Sequence, residues 1–182
     1  MLLRRAGVSR LQRQERPDRL ARGFLVLAHG ARIRDSAKEE DGSVSVELIV
    51  YLRRSAMPTP VDWQQAIRDA GFPVELDTDI DPDKFSGFLP CKLRGVTSGF
   101  EYFVSWLSDA RAAEVGAPAS TDFSVTLVTH SDLREYACSV AAAGTLAWAS
   151  GGLLFDPQSS ETFVGADAVK WAIEQFAAAE RG

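Results

Sequence analysis

The sequence lacks long apolar runs and has few cysteines and histidines, and each shortage excludes a class of protein. Nothing approaches the roughly 18 consecutive apolar residues that a membrane-spanning helix needs, so no membrane span is predicted. Two cysteines, Cys91 and Cys138, are too few for a disulfide framework, and such sparing use is typical of a reducing cytoplasm. Residues 43–182 contain a single histidine, His130, which excludes a metal site built from several histidines. We therefore predict a cytoplasmic protein.

Motifs for nucleotide and nucleic-acid binding are also absent. The segments GVTSG and SGG have neither the P-loop lysine nor the GxGxxG spacing. Aromatic residues recur at core-like periods and are not interleaved with basic residues, which argues against a surface that stacks nucleic-acid bases. We predict no cofactor and no nucleic-acid partner.

Charge divides the chain into two unlike parts. Residues 1–42 contain ten Lys or Arg and six Asp or Glu, a net charge of +4, whereas residues 43–182 contain ten and nineteen, a net charge of −9. The basic part has no sustained amphipathic period and too little apolar surface to offset the entropy of ordering, so we predict a disordered leader over 1–42. Because the folded pattern begins abruptly at Ser43, a natural translation start at Val44 or Val46 is a second hypothesis.

Residues 43–182 have the pattern of a single α+β domain. SVSVELIVYLRR alternates apolar and polar residues, which predicts a strand with one buried face. TPVDWQQAIRDAGFP predicts a helix with Thr59 as its cap, Pro60 in the first position and Gly71 at its end. GFLPCKLRGVTSGFEYFVSWL predicts a hairpin.

The complete predicted order is β-α-β-β-β-(α)-β-α-β-α. Two β-α-β segments flank the hairpin, which favours a mixed sheet with helices mainly on one face. A ferredoxin-like or an elaborated split β-α-β arrangement is the first interpretation. The apolar residues that we expect on the core side of the hairpin's second strand and of the last two helices include Trp106, Leu133, Trp148, Val169 and Ile173.

The segment VTHSDLREYACS brings His130, Ser131 and Asp132 together, but it does not have the arrangement of a catalytic triad. Triad members come from separate segments, because the base must face the nucleophile while the third residue orients the base from its opposite side. We expect Ser131 or Asp132 to cap a long helix, with Glu135 closing a capping box. Cys138 lies nearly two turns inside that helix, where a small buried cysteine is the usual case, so no catalytic residue is predicted.

The segment LDTDIDPDKF carries carboxylates at alternate positions, namely Asp77, Asp79, Asp81 and Asp83. Calcium loops use similar spacing, but Pro82 stands where such a loop needs glycine and Phe88 where it needs the bidentate glutamate. We therefore predict no metal. A solvated turn of mutually repelling charges is expected instead, and weak cation binding and a negative patch for a basic partner are the alternatives.

The segment ASGGLLFDPQSSE, followed by the last predicted helix, resembles the ends of small bacterial proteins, some of them of immunity type. This resemblance covers about fifteen residues and implies no site. The net charge of −9, the acidic loop and the lack of a catalytic set predict a bacterial, non-catalytic binding protein with an acidic surface and a basic protein partner. The sharper hypothesis is an immunity-type inhibitor of a basic bacterial toxin.

The candidate binding residues are Asp77, Asp79, Asp81, Asp83 and His130. The alternative function is a small enzyme or small-ligand-binding domain that uses carboxylates and His130 in a pocket beside the sheet. A flat acidic face would favour protein binding, whereas a deep pocket in which the carboxylates and His130 converge would favour the alternative.

Overall fold

The structure, a computed structural model, describes residues 45–130 and 132–181, so the predicted leader over 1–42 lies outside the described residues. The strands are β1 (Val46–Leu52), β2 (Val74–Leu76), β3 (Gly87–Leu93), β4 (Val96–Trp106), β5 (Phe123–Thr129), β6 (Leu153–Asp156) and β7 (Glu161–Val164). The helices are α1 (Pro60–Asp69), α2 (Asp109–Glu114), α3 (Leu133–Ser150) and α4 (Ala166–Ala179).

The seven strands form one sheet in the spatial order β2-β3-β4-β5-β1-β6-β7, and every neighbouring pair is antiparallel. The α+β class is confirmed, whereas the prediction of a mixed sheet is wrong. The reason is that the connections through α1 and α3 join strands that run in the same direction but are not neighbours, whereas α2 connects two antiparallel neighbours, β4 and β5. Three strands separate β2 from β1, and β1 lies between β5 and β6.

The connection from β5 through α3 to β6, with β1 between the two strands, is a split β-α-β unit. It suggests a ferredoxin-like order, and that label stays an interpretation because β2, β3 and β7 extend the sheet beyond it. Strand β7 is absent from the predicted order. Its four residues are mostly exposed and carry no apolar alternation, so the sequence gives no signal for a strand there.

Helices α1, α3 and α4 form a layer on one face of the sheet, with α3 in its centre. Helix α3 packs on five strands and on both other helices of the layer. From β1, the side chains of Leu48, Val50 and Leu52 point into this layer and are almost wholly buried. Among the described residues, no helix is both long enough and apolar enough to cross a membrane.

Four of the residues that we expected on the core side are largely exposed: Trp106, Leu133, Trp148 and Ile173. Trp106, which is 67% exposed, stands at the end of β4, with the Arg54 guanidinium 5.3 Å from the centre of its ring. On α4 the buried positions are Ala168, Trp171, Ala172 and Phe176. The buried residues of α4 therefore lie about one position earlier in the sequence than predicted, and Ile173 lies on the outer side of the helix.

Candidate functional site

The acidic loop between β2 and β3 does not behave as four equivalent solvated charges. Asp83 forms an ion pair with Arg54, which lies just beyond the end of β1. The Asp81 carboxylate accepts a hydrogen bond from Nζ of Lys84 at 2.5 Å. Hydrogen bonding with Asp83 and with Lys84 holds the pKa of Asp81 below its usual value, and Asp81 in turn raises the pKa of Lys84. Two of the four carboxylates therefore have cationic partners, contrary to the expectation of simple mutual repulsion.

The loop is anchored to the core by its apolar residues. The Tyr102 hydroxyl donates a hydrogen bond to the carbonyl of Pro82, and the Phe85 ring lies 6.0 Å from the Tyr102 ring, centre to centre. Burial raises the pKa of Tyr102, so its hydroxyl stays protonated and remains a donor. This part of the loop thus has a fixed position, because it is tied to a buried aromatic residue of β4.

The carboxylates of the loop do not converge on a common point. The Asp77 carboxylate accepts a hydrogen bond from the backbone N–H of Asp79 at 2.9 Å, an interaction local to the turn. Among the residues that the structure describes, no group of three or more His, Cys, Asp or Glu side chains could hold a metal ion. The loop therefore offers separate charges to a partner and not a coordination site.

His130 lies at the other end of the sheet from the acidic loop. It follows the last residue of β5, and its Nε2 atom is 3.9 Å from Oε1 of Glu101. Asp83, in contrast, is paired with Arg54 just beyond the end of β1. The end of β1 pairs with the start of β5, whereas His130 follows the end of β5. The structure therefore places the predicted binding residues in two separate groups, and His130 belongs with Glu101.

The expectation that Ser131 or Asp132 caps α3 is confirmed for Asp132, while Ser131 lies outside the described residues. The Asp132 carboxylate accepts a hydrogen bond from the backbone N–H of Arg134 at 2.7 Å. Glu135 reaches back to the chain before the helix, where it accepts a 3.4 Å hydrogen bond from the backbone N–H of His130. These polar groups have the structural role of a helix start.

The sheet face turned away from α1, α3 and α4 carries an exposed apolar patch. Two adjacent rows of side chains across β3, β4, β5, β1 and β6 make up what we call the open face. The first row is Phe88, Glu101, Val128 and Glu47, and the second is Phe103, Thr126, Ile49 and Phe155. Phe88 is 54% exposed and Phe103 is 40% exposed. The only charges in these two rows are the two glutamates, and His130 stands at their edge.

Gly99 explains how the Phe88 ring lies on the open face. A Cβ atom at Gly99 would come within 2.3 Å of the Phe88 ring and 2.7 Å of the carbonyl oxygen of Leu89. Because glycine has no side chain, the ring can lie across the strand at this position. The aromatic surface of Phe88 is thereby held flat against the sheet and presented outward.

The next row of the same sheet face is covered. Tyr51 of β1 and its ladder partner Ser124 are both buried. Burial raises the pKa of Tyr51, and Arg111 and Glu114 of α2 lie close enough to act on that pKa as well. This buried row bounds the open face on that side.

Several clefts accompany these surfaces. One of about 300 Å³, at the β2–β3 edge, is lined by Glu75, Leu76, Asp77, Pro90, Cys91, Lys92 and Thr97. Another of about 430 Å³, on the helical side, is lined by Asp69, Ala70, Trp148, Ala166, Val169, Lys170, Ile173 and Glu174. His130 lines neither cleft, so neither one joins it to carboxylates in the way that the alternative function requires.

No residue of the open face is among the binding residues predicted from the sequence, although the strand alternation contains an indication of this surface. In β4 the alternation places Glu101, Phe103 and Ser105 on the outward side, so an outward phenylalanine is visible in the pattern. In β3 the alternation that places Leu89 and Cys91 on the core side likewise places Phe88 on the outward side. The position of Phe88 opposite Glu101 depends on the register of the β3–β4 pair.

Comparison of the chain with protein-family models, with curated proteins and with solved structures gave no match. No family, activity or ligand is therefore transferred to the chain. Its function has to be argued from the chemistry of its own surfaces, and the open face is the surface with the most distinctive composition among those described.

Proposed function

We propose that this chain is a non-catalytic binding protein that uses its open face to dock a basic protein partner. The observation that carries the proposal is the grouping of two exposed phenylalanines, Phe88 and Phe103, with two glutamates, Glu47 and Glu101, on adjacent rows of one sheet. Exposed apolar patches with polar neighbours are typical of protein interfaces, and aromatic side chains are frequent energetic anchors there.

The charges support a basic partner. The open face contains glutamates and no Lys or Arg, and residues 43–182 carry a net charge of −9. A negative field accelerates association with a positive surface and disfavours acidic competitors. The acidic loop, at the other end of β5, contributes to this field at longer range, whereas Glu47 and Glu101 lie within the proposed contact area.

The sharper form of the proposal is a cytoplasmic bacterial immunity-type protein that inhibits a basic toxin. Its test is co-expression with the products of the neighbouring genes, with bacterial growth as the measurement. We expect one basic product to stop growth alone and the wild-type chain to restore growth. The double variant Phe88→Ser/Phe103→Ser should fail to restore it, because the aromatic anchors are lost.

The matched control is Val61→Ser/Ile173→Ser, which removes two comparably exposed apolar side chains from α1 and α4. It should restore growth as the wild type does, and both double variants should keep the wild-type melting temperature within a few degrees. Restoration of growth by the open-face variant would contradict the proposal. If Glu75→Gln, in the β2–β3 cleft, abolished restoration instead, a small-ligand function would be favoured.

A further inference from the structure

The sheet has two edge strands, β2 and β7, and the outer edge of β2 is closed by a side chain. The buried Gln64 of α1 donates a 3.0 Å hydrogen bond from Nε2 to the carbonyl of Val74, and its Oε1 accepts a 2.5 Å hydrogen bond from the backbone N–H of Leu76. The side-chain amide thus satisfies the outward backbone groups of β2 as a neighbouring strand would. A further strand can pair along β2 only if it displaces Gln64.

Strand β7 has no such cover. In an antiparallel sheet the N–H and C=O groups of every second residue point to the same side, so half of those on β7 point away from β6. Within residues 45–130 and 132–181, no hydrogen bond outside the β6–β7 pairing reaches the backbone of Thr162, Phe163 or Val164. The strand sequence ETFV contains neither the proline nor the lysine that protect many edge strands, and its register against β6 is continuous. The edge of β7 is therefore open to pairing.

A cleft of about 330 Å³ lies beside this open edge, between β7 and α4. Its lining includes Phe163 of β7 and Trp171 of α4, whose rings are stacked with their centres 5.2 Å apart. Val164, which is 52% exposed, adds further apolar surface. The volume is at the low end of the roughly 300–1,000 Å³ range of ligand pockets, so the cleft suits the side chains of a peptide better than a larger ligand. An open edge beside a side-chain pocket is the arrangement that strand addition uses.

The charges around β7 favour a basic occupant. The carboxylates of Asp167 and Glu174 line the cleft, with Lys170 between them on α4, and Glu161 begins β7. These exposed side chains are three carboxylates and one ammonium, a net charge of −2, which attracts a positive segment and repels a negative one. A second copy of the chain, added edge to edge, would bring the same excess of carboxylates against itself. The charges therefore favour a basic segment over self-association.

We propose that β7 is a docking edge for strand addition and that its occupant is an extended, basic segment of a partner polypeptide. The backbone of this segment pairs with the outward N–H and C=O groups of β7, and one of its apolar side chains enters the cleft against Phe163 and Trp171. Its Lys or Arg residues meet Glu161, Asp167 and Glu174. The edge of β7 shares no residue with the open face, so this inference does not rest on the proposed function.

The experiment titrates the isotope-labelled full chain with the synthetic peptide acetyl-KVTFTVK-amide and follows the backbone amide signals by NMR. We expect the largest shifts in β7 and a dissociation constant below about 1 mM. Two further forms of the peptide, N-methylated at the odd or at the even positions, test the backbone pairing. Only one of the two should bind, because alternate N–H groups of an added strand face its neighbour. Binding of both forms or of neither, or no binding of the parent peptide, would overturn the proposal.

Variants of the chain test the charge and the position of the site. Glu174→Lys should weaken binding of the basic peptide about threefold or more and strengthen binding of acetyl-EVTFTVE-amide, because it reverses a charge at the cleft. Glu75→Lys, the matched exposed control on the closed edge, should change neither affinity. The open-face variant Phe88→Ser/Phe103→Ser should bind the basic peptide as the wild type does. Loss of binding in that variant, or an equal effect of Glu75→Lys, would place the peptide elsewhere and contradict the proposal.

Analytical ultracentrifugation tests the other occupant, a second copy of the chain. We expect a monomer at the concentrations used for NMR, both for the wild type and for Val164→Lys, which places a charge at the exposed end of β7. A wild-type dimer that this variant converts to a monomer would show that β7 pairs with itself, and it would overturn the choice of a basic peptide as the occupant.

Discussion

Asp83 and Asp79 are carboxylates of one loop with different surroundings. The Asp83 side chain is only 18% exposed and pairs with Arg54, whose guanidinium also lies over the Trp106 ring. Asp79 is exposed, and its hydrogen bond is made by the backbone N–H, which donates to the Asp77 carboxylate. The same change of charge should therefore have different consequences at the two positions.

Asp83→Asn should lower the free energy of unfolding by about 1 kcal/mol, because a partly buried Arg54 loses its charged partner. Asp79→Asn, the matched control, should change it by less than about 0.5 kcal/mol, as exposed substitutions usually do. Urea denaturation of both variants at neutral pH measures the difference. Equal effects would mean that the Arg54–Asp83 pair contributes no stability.

Calcium should not stabilise the protein. Asp81 and Asp83 are paired with Lys84 and Arg54, and the Asp77 carboxylate is used within its own turn, so the oxygens do not converge. We expect the same melting temperature with millimolar calcium as with a chelator. A melting temperature that rises with calcium in the wild type and not in Asp79→Asn would contradict this prediction.

At the scale of elements, α3 determines how the helical layer packs. From Ala137 to Thr145 its residues are all small or β-branched, and Gly144 faces α4 so closely that a Cβ atom would lie 2.5 Å from the Cβ of Ala172 and 2.9 Å from the carbonyl oxygen of Ala168. On its other side, the Trp63 indole of α1 donates a 3.0 Å hydrogen bond to the carbonyl of Ala142. The small side chains of α3 thus allow both neighbours to approach its backbone.

Gly144→Ala should destabilise the protein by about 2 kcal/mol, because α4 must move away from its packed position. At an exposed helix position, the change from glycine to alanine would instead add roughly 1 kcal/mol of stability. A loss of stability in Gly144→Ala would therefore indicate the close approach of α4 to this position. Urea denaturation measures the change in the free energy of unfolding.

The control for this variant is Ala149→Ser, which enlarges a side chain on the exposed side of the same helix. It should lower the free energy of unfolding by about 0.5 kcal/mol or less, because it meets no neighbouring helix and serine is only a slightly weaker helix former than alanine. A stabilised Gly144→Ala variant would show that α3 and α4 are less closely packed.

The elements themselves are largely predictable because their signals are local. The Thr59 hydroxyl caps α1 by accepting a hydrogen bond from the backbone N–H of Asp62, Asp132 caps α3, and Gly151 ends α3 in a left-handed conformation. The order of strands depends on contacts between distant residues, which no local pattern encodes. For that reason the sequence predicts most of the strands and not their wholly antiparallel pairing.

At the scale of the whole molecule, the candidate binding surface depends on the strand order more than on any motif. Phe88 and Phe103 lie on neighbouring strands, but Ile49 joins them only because β1 is inserted beside β5. The acidic loop was identifiable because its carboxylates are close together in sequence. The open face was not, because its residues come together only in the assembled sheet.

The decisive comparison is between the open face and the acidic loop, measured by the effect of each on binding to the basic partner that co-expression identifies. Glu47→Gln/Glu101→Gln removes charge from the open face, and Asp79→Asn/Asp81→Asn removes the same charge from the loop. We expect the first variant to slow association about threefold or more at low salt and the second less than about twofold, because charges nearest the contact steer most strongly. Both effects should shrink as salt rises, since exposed charges are screened beyond about 10 Å at 0.1 M.

The aromatic residues of the open face should act on the dissociation rate. Phe88→Ser should leave the association rate nearly unchanged and accelerate dissociation by about tenfold or more, because a buried anchor contributes after contact has formed. Surface plasmon resonance at two salt concentrations separates these effects. If the loop variant slowed association more than the open-face variant, and Phe88→Ser dissociated at the wild-type rate, the partner would bind at Asp77–Asp83 and the open face would have another role.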